Sequence, residues 1–357
     1  MDNLIDGTNP RTGLPYRLGV LTSGGDAQGM NAAVRAVVRT ALAAVAEPYA
    51  ILEGWEGAIR GGDSIKKMKW SSVSSILAEG GTAIGTARSV EFREYSGRLT
   101  AAENLLAAGI DRLVVIGGDG SLAGADEFRS EWRQILNDLV EADRISAEVA
   151  SKHPELTLVG LVASIDNDLV GSDMTIGADT ALSRIVSAMD MLTSTAASHQ
   201  RTFIVEVMGR RCGYLPLMSA VAGGADYVFT PEQPAGPNWR DEMCAKLALG
   251  REAGRRESMI LVAEGARDTE GTSITIEDVE AAVREGLGED ARSTILGHVQ
   301  RGGSPSAYDR WMSTALGYTA TQELFDPSNY GEAMIIGVRH NRIASLPMVE
   351  AIKDTRA

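Results

Sequence analysis

The chain reads as an α/β protein of two lobes, each a largely parallel sheet flanked by helices. Three observations carry that expectation. Short apolar runs alternate with helical stretches along the chain, the order that builds parallel sheets covered on both faces. Glycines and carboxylates gather just after those runs, where such folds place their sites, at the carboxyl ends of strands. Finally, 357 residues, 44% hydrophobic and 23% charged, leave room for two lobes rather than one small core.

The elements follow in order. Residues 18–21, Leu-Gly-Val-Leu, read as a first strand, followed by the glycine loop Ser23-Gly24-Gly25-Asp26-Ala27-Gln28-Gly29-Met30-Asn31 and a helix over 31–45. Residues 113–116 form a second strand that runs into Gly117-Gly118-Asp119-Gly120-Ser121, with a helix beginning near Leu122. Between 125 and 153 the chain is highly charged, but Phe128, Trp132, Ile135 and Leu139 recur at helical spacing. That pattern predicts a helix, a charged turn and a second short helix, with the aromatic stripe used for packing. Residues 156–162 are a buried third strand leading into Ser164-Ile165-Asp166-Asn167-Asp168. Residues 202–207 and 259–263 are the fourth and fifth strands, and 294–296 and 334–338 are further candidates. There is no tandem repeat, heptad run or low-complexity tract.

Composition excludes several function classes. A net charge of -14 disfavours general binding to nucleic acid or to anionic membranes, both of which need a basic field. An anionic small substrate stays open, because a cleft can be locally basic. Two cysteines, Cys212 and Cys244, make neither a disulfide framework nor a metal cluster and point to a reducing compartment. Residues 1–16 are polar and lack the apolar core of a signal peptide, and no apolar run reaches transmembrane length. The expected location is the cytoplasm.

The chemistry concentrates in three places. At a strand end, Asp166 and Asp168, with the Ser164 hydroxyl in front and the Asn167 amide between, suit metal-assisted chemistry on an oxygen. One carboxylate can take a proton while the other organises a cation; read alone, the segment is also a polar turn. In the first glycine loop, backbone amides and the following helix N-terminus can approach an anion, and in the second Gly117, Gly118 and Gly120 let a triphosphate lie against main chain. The first loop is neither a Walker A motif nor the dinucleotide fingerprint, and alone it is also a tight turn. Asp119 can hold a hydrated magnesium ion, a hard cation that prefers oxygen and keeps waters. The third place is a set of cations beside strand ends: Arg201, Met208-Gly209-Arg210-Arg211, Arg292, and Gly297-His298-Val299-Gln300-Arg301-Gly302-Gly303. Guanidinium forks match phosphate oxygens, and His298 can bond a sugar or phosphate. Taken singly each is also a surface charge; together they make a basic pocket in an acidic protein. Glu264, after the fifth strand, is either an acceptor for sugar hydroxyls or a helix-start acid.

As a set, Leu21-Thr22-Ser23-Gly24-Gly25-Asp26, Ile116 to Ser121, Ser164 to Asp168, Glu206-Val207-Met208-Gly209-Arg210 and Gly297 to Gly303 resemble the 6-phosphofructokinase family, over about residues 17–348. The resemblance is closest to the amino-terminal half of the eukaryotic enzymes, through Phe128-Arg129-Ser130-Glu131-Trp132, Asp173-Met174-Thr175-Ile176-Gly177 and Ser198-His199-Gln200-Arg201-Thr202-Phe203. This chain holds one such unit, not the fused pair. The resemblance implies a phosphofructokinase-like, Rossmann-type fold, with a flexible lead at 1–16, a nucleotide lobe of 17–177 plus 300–350, and a sugar-phosphate lobe of 178–299 plus 351–357.

It also implies an ATP-dependent kinase that phosphorylates D-fructose 6-phosphate at the 1-hydroxyl with Mg2+, the committing step of glycolysis. Asp166 is then the base, Asp119 the magnesium-associated acid, and Asp168 its support. Ser164 donates to the moving phosphoryl group, and Arg210 neutralises charge on it. Gly25, Arg88, Gly118, Gly120 and Ser121 cradle ATP. Met208, Gly209, Arg210, Glu264, His298 and Arg301 bind the sugar phosphate. Arg201 and Arg292 reach across a subunit interface, which implies at least a dimer and, by the family, a homotetramer with shared sites. Gly120 and Ala163 stand where pyrophosphate-using members carry Asp and Lys, so ATP is the expected donor. The alternatives are a pyrophosphate-dependent transferase, another kinase with the Gly-Gly-Asp-Gly loop, acting on lipids or NAD, and a non-catalytic regulatory subunit that binds sugar phosphate.

Regulation follows the resemblance less closely. Arg35 and Arg39, one helical turn apart, match effector-phosphate arginines of bacterial members, and Asp226 matches an acid there. Thr193 and Ala253 stand where those enzymes carry basic residues, so ADP and phosphoenolpyruvate are expected to act weakly. Salt bridges at a subunit contact explain Arg35 and Arg39 equally well. Trp55 stands near the nucleotide in the family's pattern, or in the core.

Overall fold

The computed structural model describes residues 5–9, 13–199 and 201–356. Its strands, in chain order, are β1 (Arg17–Ser23), β2 (Glu47–Ile51), β3 (Ile65–Lys67), β4 (Arg112–Gly117), β5 (Thr157–Val162), β6 (Thr202–Val207), β7 (Tyr227–Phe229), β8 (Ser258–Ala263), β9 (Arg292–Ile295), β10 (Ala333–Arg339) and β11 (Arg342–Pro347). The chain forms two compact units. The first holds the residues up to Ser164, then Leu169–Gly177 and the chain from Gly303 onward; the second holds Ile165–Asp168 and Ala178–Gly302.

The first unit is built on a seven-stranded sheet in the order β11-β10-β5-β4-β1-β2-β3. Its five inner strands are parallel, while β3 and β11 pair antiparallel at the edges. β4 and β5 are buried throughout, and β1 everywhere but its first residue. Covering on both faces is why their sequences are continuous apolar runs without alternation. The register sets Ser23 beside Gly117 and Gly117 beside Val162, so the loops after β1, β4 and β5 leave the sheet at one level. On one face the helices Met30–Ala43 and Ala307–Phe325 pack closely. A Cβ on Gly317 would lie 2.6 Å from the Ala33 carbonyl and 2.9 Å from the Ala36 Cβ, so glycine permits the approach. On the other face Trp55 stacks on Phe92 with centroids 4.1 Å apart, and Phe128 meets Phe92 and Trp132 edge to face. Burying each such ring contributes roughly 1.5–3 kcal/mol. Trp55, only 4% exposed, is therefore a core residue.

The second unit has a four-stranded, wholly parallel sheet in the order β7-β8-β6-β9. Its core runs from Ile204, Ile260 and Val262 into the helices Trp239–Glu252 and Ile276–Leu287. Val207 pairs with Ala263, and Glu206 with Ile295, so the chain leaves β6, β8 and β9 at neighbouring points.

Several boundaries differ from the sequence reading. The first helix spans Met30–Ala43 rather than 31–45, because Val45 turns left-handed at φ 68° on the way to β2. The helix after β4 begins at Asp119, directly on the N-cap Gly118. The charged stretch forms helices Trp132–Glu141 and Ala147–Lys152, the second capped by Ser146 Oγ accepting from the Val149 amide. β2, β3, β7 and β11 had no distinct signal in the sequence. The end of the chain, assigned by sequence to the second lobe from residue 351, belongs to the first unit: Ala351 and Ile352 of the helix Met348–Arg356 are buried in the core with Phe128 and Ile335. Of the N-terminal lead, residues 1–4 and 10–12 lie outside the described residues; the rest is tied by Gly7 donating to the Ala44 carbonyl and Tyr16 to the Gly7 carbonyl. Among the described residues no helix is long and apolar enough to cross a membrane.

Candidate active site

In the first unit three strand ends supply three loops. Ser23, at the end of β1, accepts a hydrogen bond from Ser121 Oγ at 3.0 Å, tying the first glycine loop to the second. Gly24 has φ 90°, a conformation that favours glycine. A Cβ on Gly117 would come 2.5 Å from the Ser23 carbonyl, so the junction of the two loops also needs glycine. Gly118 is the extended N-cap of the helix Asp119–Ser130, whose first turn presents backbone N–H groups and the positive end of the helix dipole. A Cβ on Gly120 would meet nothing within 4 Å, so the space before that residue is open. Ala163 is 2% exposed, its amide donating to the Gly117 carbonyl at 3.0 Å. Ser164 follows, held by its amide donating to Ile176 and its carbonyl accepting from Thr175 Oγ1 at 2.5 Å. Gly25, Asp119, Ser121 and Ser164 are half-buried, and Arg88 is exposed.

In the second unit the other residues gather at the carboxyl end of its sheet. Asp166 is only 3% exposed, beside the buried Ile165. Its Oδ2 lies 3.7 Å from Arg210 Nε. Burial raises its pKa above the ordinary carboxylate range; the Asp168 charge, and less strongly Glu264, push the same way, against Arg301 and Arg210. The position thus holds a carboxylate that accepts a proton more readily than a surface Asp. Asn167 and Arg210 both adopt left-handed backbone, φ 54° and 50°. A non-glycine residue held so costs roughly 1–3 kcal/mol and marks a place the fold over-determines. At Arg210 the constraints are visible: its amide donates to Glu264 Oε2 at 3.3 Å, and a Cβ on Gly265 would sit 2.0 Å from its carbonyl. Gly209, at φ 149°, and the Cys212 amide bonded to its carbonyl complete the turn. His298 and Arg301 stand on a 3-10 turn, Gly297–Arg301.

The sequence reading gave Gln300 no role. It is fully buried; its Oε1 accepts from the Met208 amide at 3.3 Å, and its Nε2 donates to Gly297 at 3.0 Å. It locks the turn bearing His298 and Arg301 to the one bearing Gly209 and Arg210. A glutamine between His298 and Arg301 was the available signal.

Arg201 and Arg292 do not join this group within the unit. Arg201 precedes β6, Arg292 opens β9, and Phe203 pairs with Arg292, so both arginines lie at the amino end of the sheet. Six residues of strand separate the ends by roughly 20 Å. Arg292 is exposed, with Nη2 2.8 Å from Asp290.

The effector-like arginines sit elsewhere. Arg35 and Arg39 line a cavity of about 770 Å³ in the first unit with Arg310, Trp311 and Tyr318. Arg39 lies over the Trp70 ring at 4.7 Å. In the second unit Asp226 pairs with Arg255 and accepts from the Met259 amide at 2.9 Å.

The first unit thus carries glycine loops at the ends of its strands, and the second a buried carboxylate beside Arg210 and Arg301. The phosphofructokinase profile matches residues 17–324, and the chain belongs to that family. ATP-dependent 6-phosphofructokinase 1 of Caenorhabditis elegans is 51% identical over 339 residues, 95% of this chain and 42% of that protein. The human ATP-dependent 6-phosphofructokinase, muscle type, is 51% identical over 344 residues, 96% of this chain and 44% of that protein. The solved structure of phosphofructokinase from Saccharomyces cerevisiae superposes with a TM-score of 0.93 at 49% identity, covering 96% of this chain and 46% of that one. The chain thus spans under half the length of these relatives.

Proposed function

We propose that this chain transfers the γ-phosphoryl group of Mg-ATP to the 1-hydroxyl of D-fructose 6-phosphate, forming fructose 1,6-bisphosphate. The observation that carries the reading is Asp166: a buried carboxylate with a raised proton affinity, 3.7 Å from Arg210. As the hydroxyl oxygen bonds to phosphorus and the bond to the ADP oxygen breaks, Asp166 takes the hydroxyl proton. Arg210 neutralises charge on the moving group, and Ser164 donates to it. Phosphoryl transfer needs positioning and charge neutralisation more than covalent help, and these residue types provide them.

The nucleotide is assigned to the first unit. Gly25, Gly118, Gly120 and Ser121 hold its phosphates and Arg88 adds charge. The open space before Gly120 fits this, since a bulkier residue would fill it. Asp119, with Asp168 in support, is the oxygen donor for magnesium. Magnesium is a hard cation that takes oxygen donors and keeps several waters, so one or two carboxylates with substrate phosphates can hold it. When bound, the ion neutralises the phosphate chain. Met208, Gly209, Glu264, His298 and Arg301 take the sugar phosphate.

Arg201 and Arg292 stand at the far end of their own sheet from Asp166, which supports their serving the site of a neighbouring subunit in a homotetramer. ATP is favoured over pyrophosphate because Gly120 leaves room for an α-phosphate and the buried Ala163 brings no cation. A coupled assay with fructose 6-phosphate and either ATP or pyrophosphate tests the reading. Turnover with ATP is expected; turnover with pyrophosphate alone, or with neither, overturns it.

A further inference from the structure

We propose that Asn31 is a positioning residue for the nucleotide, the lock of a polar strap formed by residues 79–86. The inference rests on the nucleotide role proposed for the first unit. Asn31 is the second residue of the helix Met30–Ala43 and is 1% exposed, with Ala32, Ala33 and Val34 following it. A buried amide in an apolar helix is costly unless it is bonded. The bonds of this side chain go to the strap. Nδ2 donates to the carbonyls of Glu79 at 3.1 Å and Gly80 at 3.2 Å, and Oδ1 accepts from the Ala83 amide at 2.7 Å.

The strap has no helix or strand of its own, so such ties set its path. Thr22, fully buried at the end of β1, makes the next ones: its Oγ1 lies 2.8 Å from Thr82 Oγ1 and donates to Gly85 at 2.7 Å. Thr86 Oγ1 then donates to the Gly24 carbonyl at 2.9 Å. The strap is thereby fastened onto the first glycine loop, and the chain continues two residues later to Arg88. A Cβ on Gly81 would lie 3.8 Å from Asp26 Oδ2, so the strap runs beside that loop. None of these groups need touch ATP. They hold in place the backbone and the arginine assigned to it.

The test compares Asn31→Ala with Val37→Ala, a buried change on the same helix that leaves the strap bonds intact. Mg-ATP and fructose 6-phosphate binding to the whole chain are each measured directly by equilibrium dialysis, and amide exchange is followed at residues 79–88. Asn31→Ala is expected to weaken Mg-ATP binding by about tenfold or more, and fructose 6-phosphate binding by less than about twofold. Its strap amides should exchange faster while those of β4 do not. Asn31→Asp keeps the acceptor for Ala83 but sets a carboxylate against two carbonyls, so it should not rescue binding. Val37→Ala should leave the Mg-ATP affinity unchanged. Unchanged Mg-ATP affinity in Asn31→Ala, or equal weakening of both ligands by both Ala variants, overturns the inference. So does a wild-type chain that binds no nucleotide. A wild-type chain that binds Mg-ATP but transfers nothing to fructose 6-phosphate refutes the kinase reading, while the strap is still judged on Mg-ATP binding.

Discussion

Replacing Asp166 by Asn tests the proposed chemistry at its centre. The side chain keeps its size but loses the ability to take a proton. A positioned general base contributes ~10²–10⁴-fold, equivalent to about 3–5 kcal/mol of barrier at roughly 1.4 kcal/mol per decade. The expected kcat falls by that amount. Fructose 6-phosphate binding should persist, because Arg210 and Arg301 remain and the repulsion from Asp168 and Glu264 is reduced. Stability should change in the opposite sense to activity. Asp166 has a raised folded-state pKa, so its contribution to stability is full below the unfolded pKa and is lost as pH rises through the folded value. At neutral pH the charged carboxylate is thus a liability that Asp166→Asn removes. The variant should melt at or above the wild-type temperature at neutral pH, and that advantage should shrink in acid. The assays are coupled turnover with saturating Mg-ATP, isothermal titration with the sugar phosphate, and calorimetric melting at two pH values. Turnover within tenfold of wild type would remove Asp166 from the role of base. Lost activity with a lowered melting temperature and no sugar binding would mean that the change had disrupted the unit rather than its chemistry.

Three further outcomes follow from the same geometry. Mixing inactive Asp166→Asn subunits with inactive Arg292→Ala subunits should regenerate some activity after dissociation and reassembly; hybrids that form but stay inactive would refute the shared site. Gly120→Asp places a carboxylate in the open space before that residue and should raise KM for ATP by about tenfold or more, through crowding and charge repulsion, with no matching change in KM for fructose 6-phosphate. An unchanged KM for ATP would place the phosphates elsewhere. Because Asp168 helps to raise the Asp166 pKa, Asp168→Asn should shift the acid limb of the pH profile of kcat/KM for fructose 6-phosphate to lower pH. A limb that stays in place or moves up would show that another group controls it.

Much of this protein was legible before any coordinates. The central strands β1, β4, β5 and β8 are buried on both faces over most of their length, and β6 everywhere but the half-buried Glu206, so their sequences carry apolar runs that stand out. The chemistry-bearing loops follow them in the chain, so motif and strand end were read together. Edge elements were not legible: β3 and β7 span three residues each, and β11 shows no all-buried run. Nor was the place of Ala351 and Ile352, since an amphipathic terminal helix carries no mark of the sheet it covers.

The amino-acid order by itself determined which residues can do chemistry, because a carboxylate, a guanidinium or a glycine has its properties wherever it stands. The tertiary structure decided what those properties become. Burial beside Asp168 raises the proton affinity of Asp166, and neither effect exists until the fold removes water and brings the charges together. Parallel register put Arg201 and Arg292 at the end of the sheet opposite to Arg210, though all three flank strands in the sequence. The bonds of Asn31 to Glu79 and of Gln300 to Met208 join residues 48 and 92 positions apart, a distance over which local sequence carries no information about pairing.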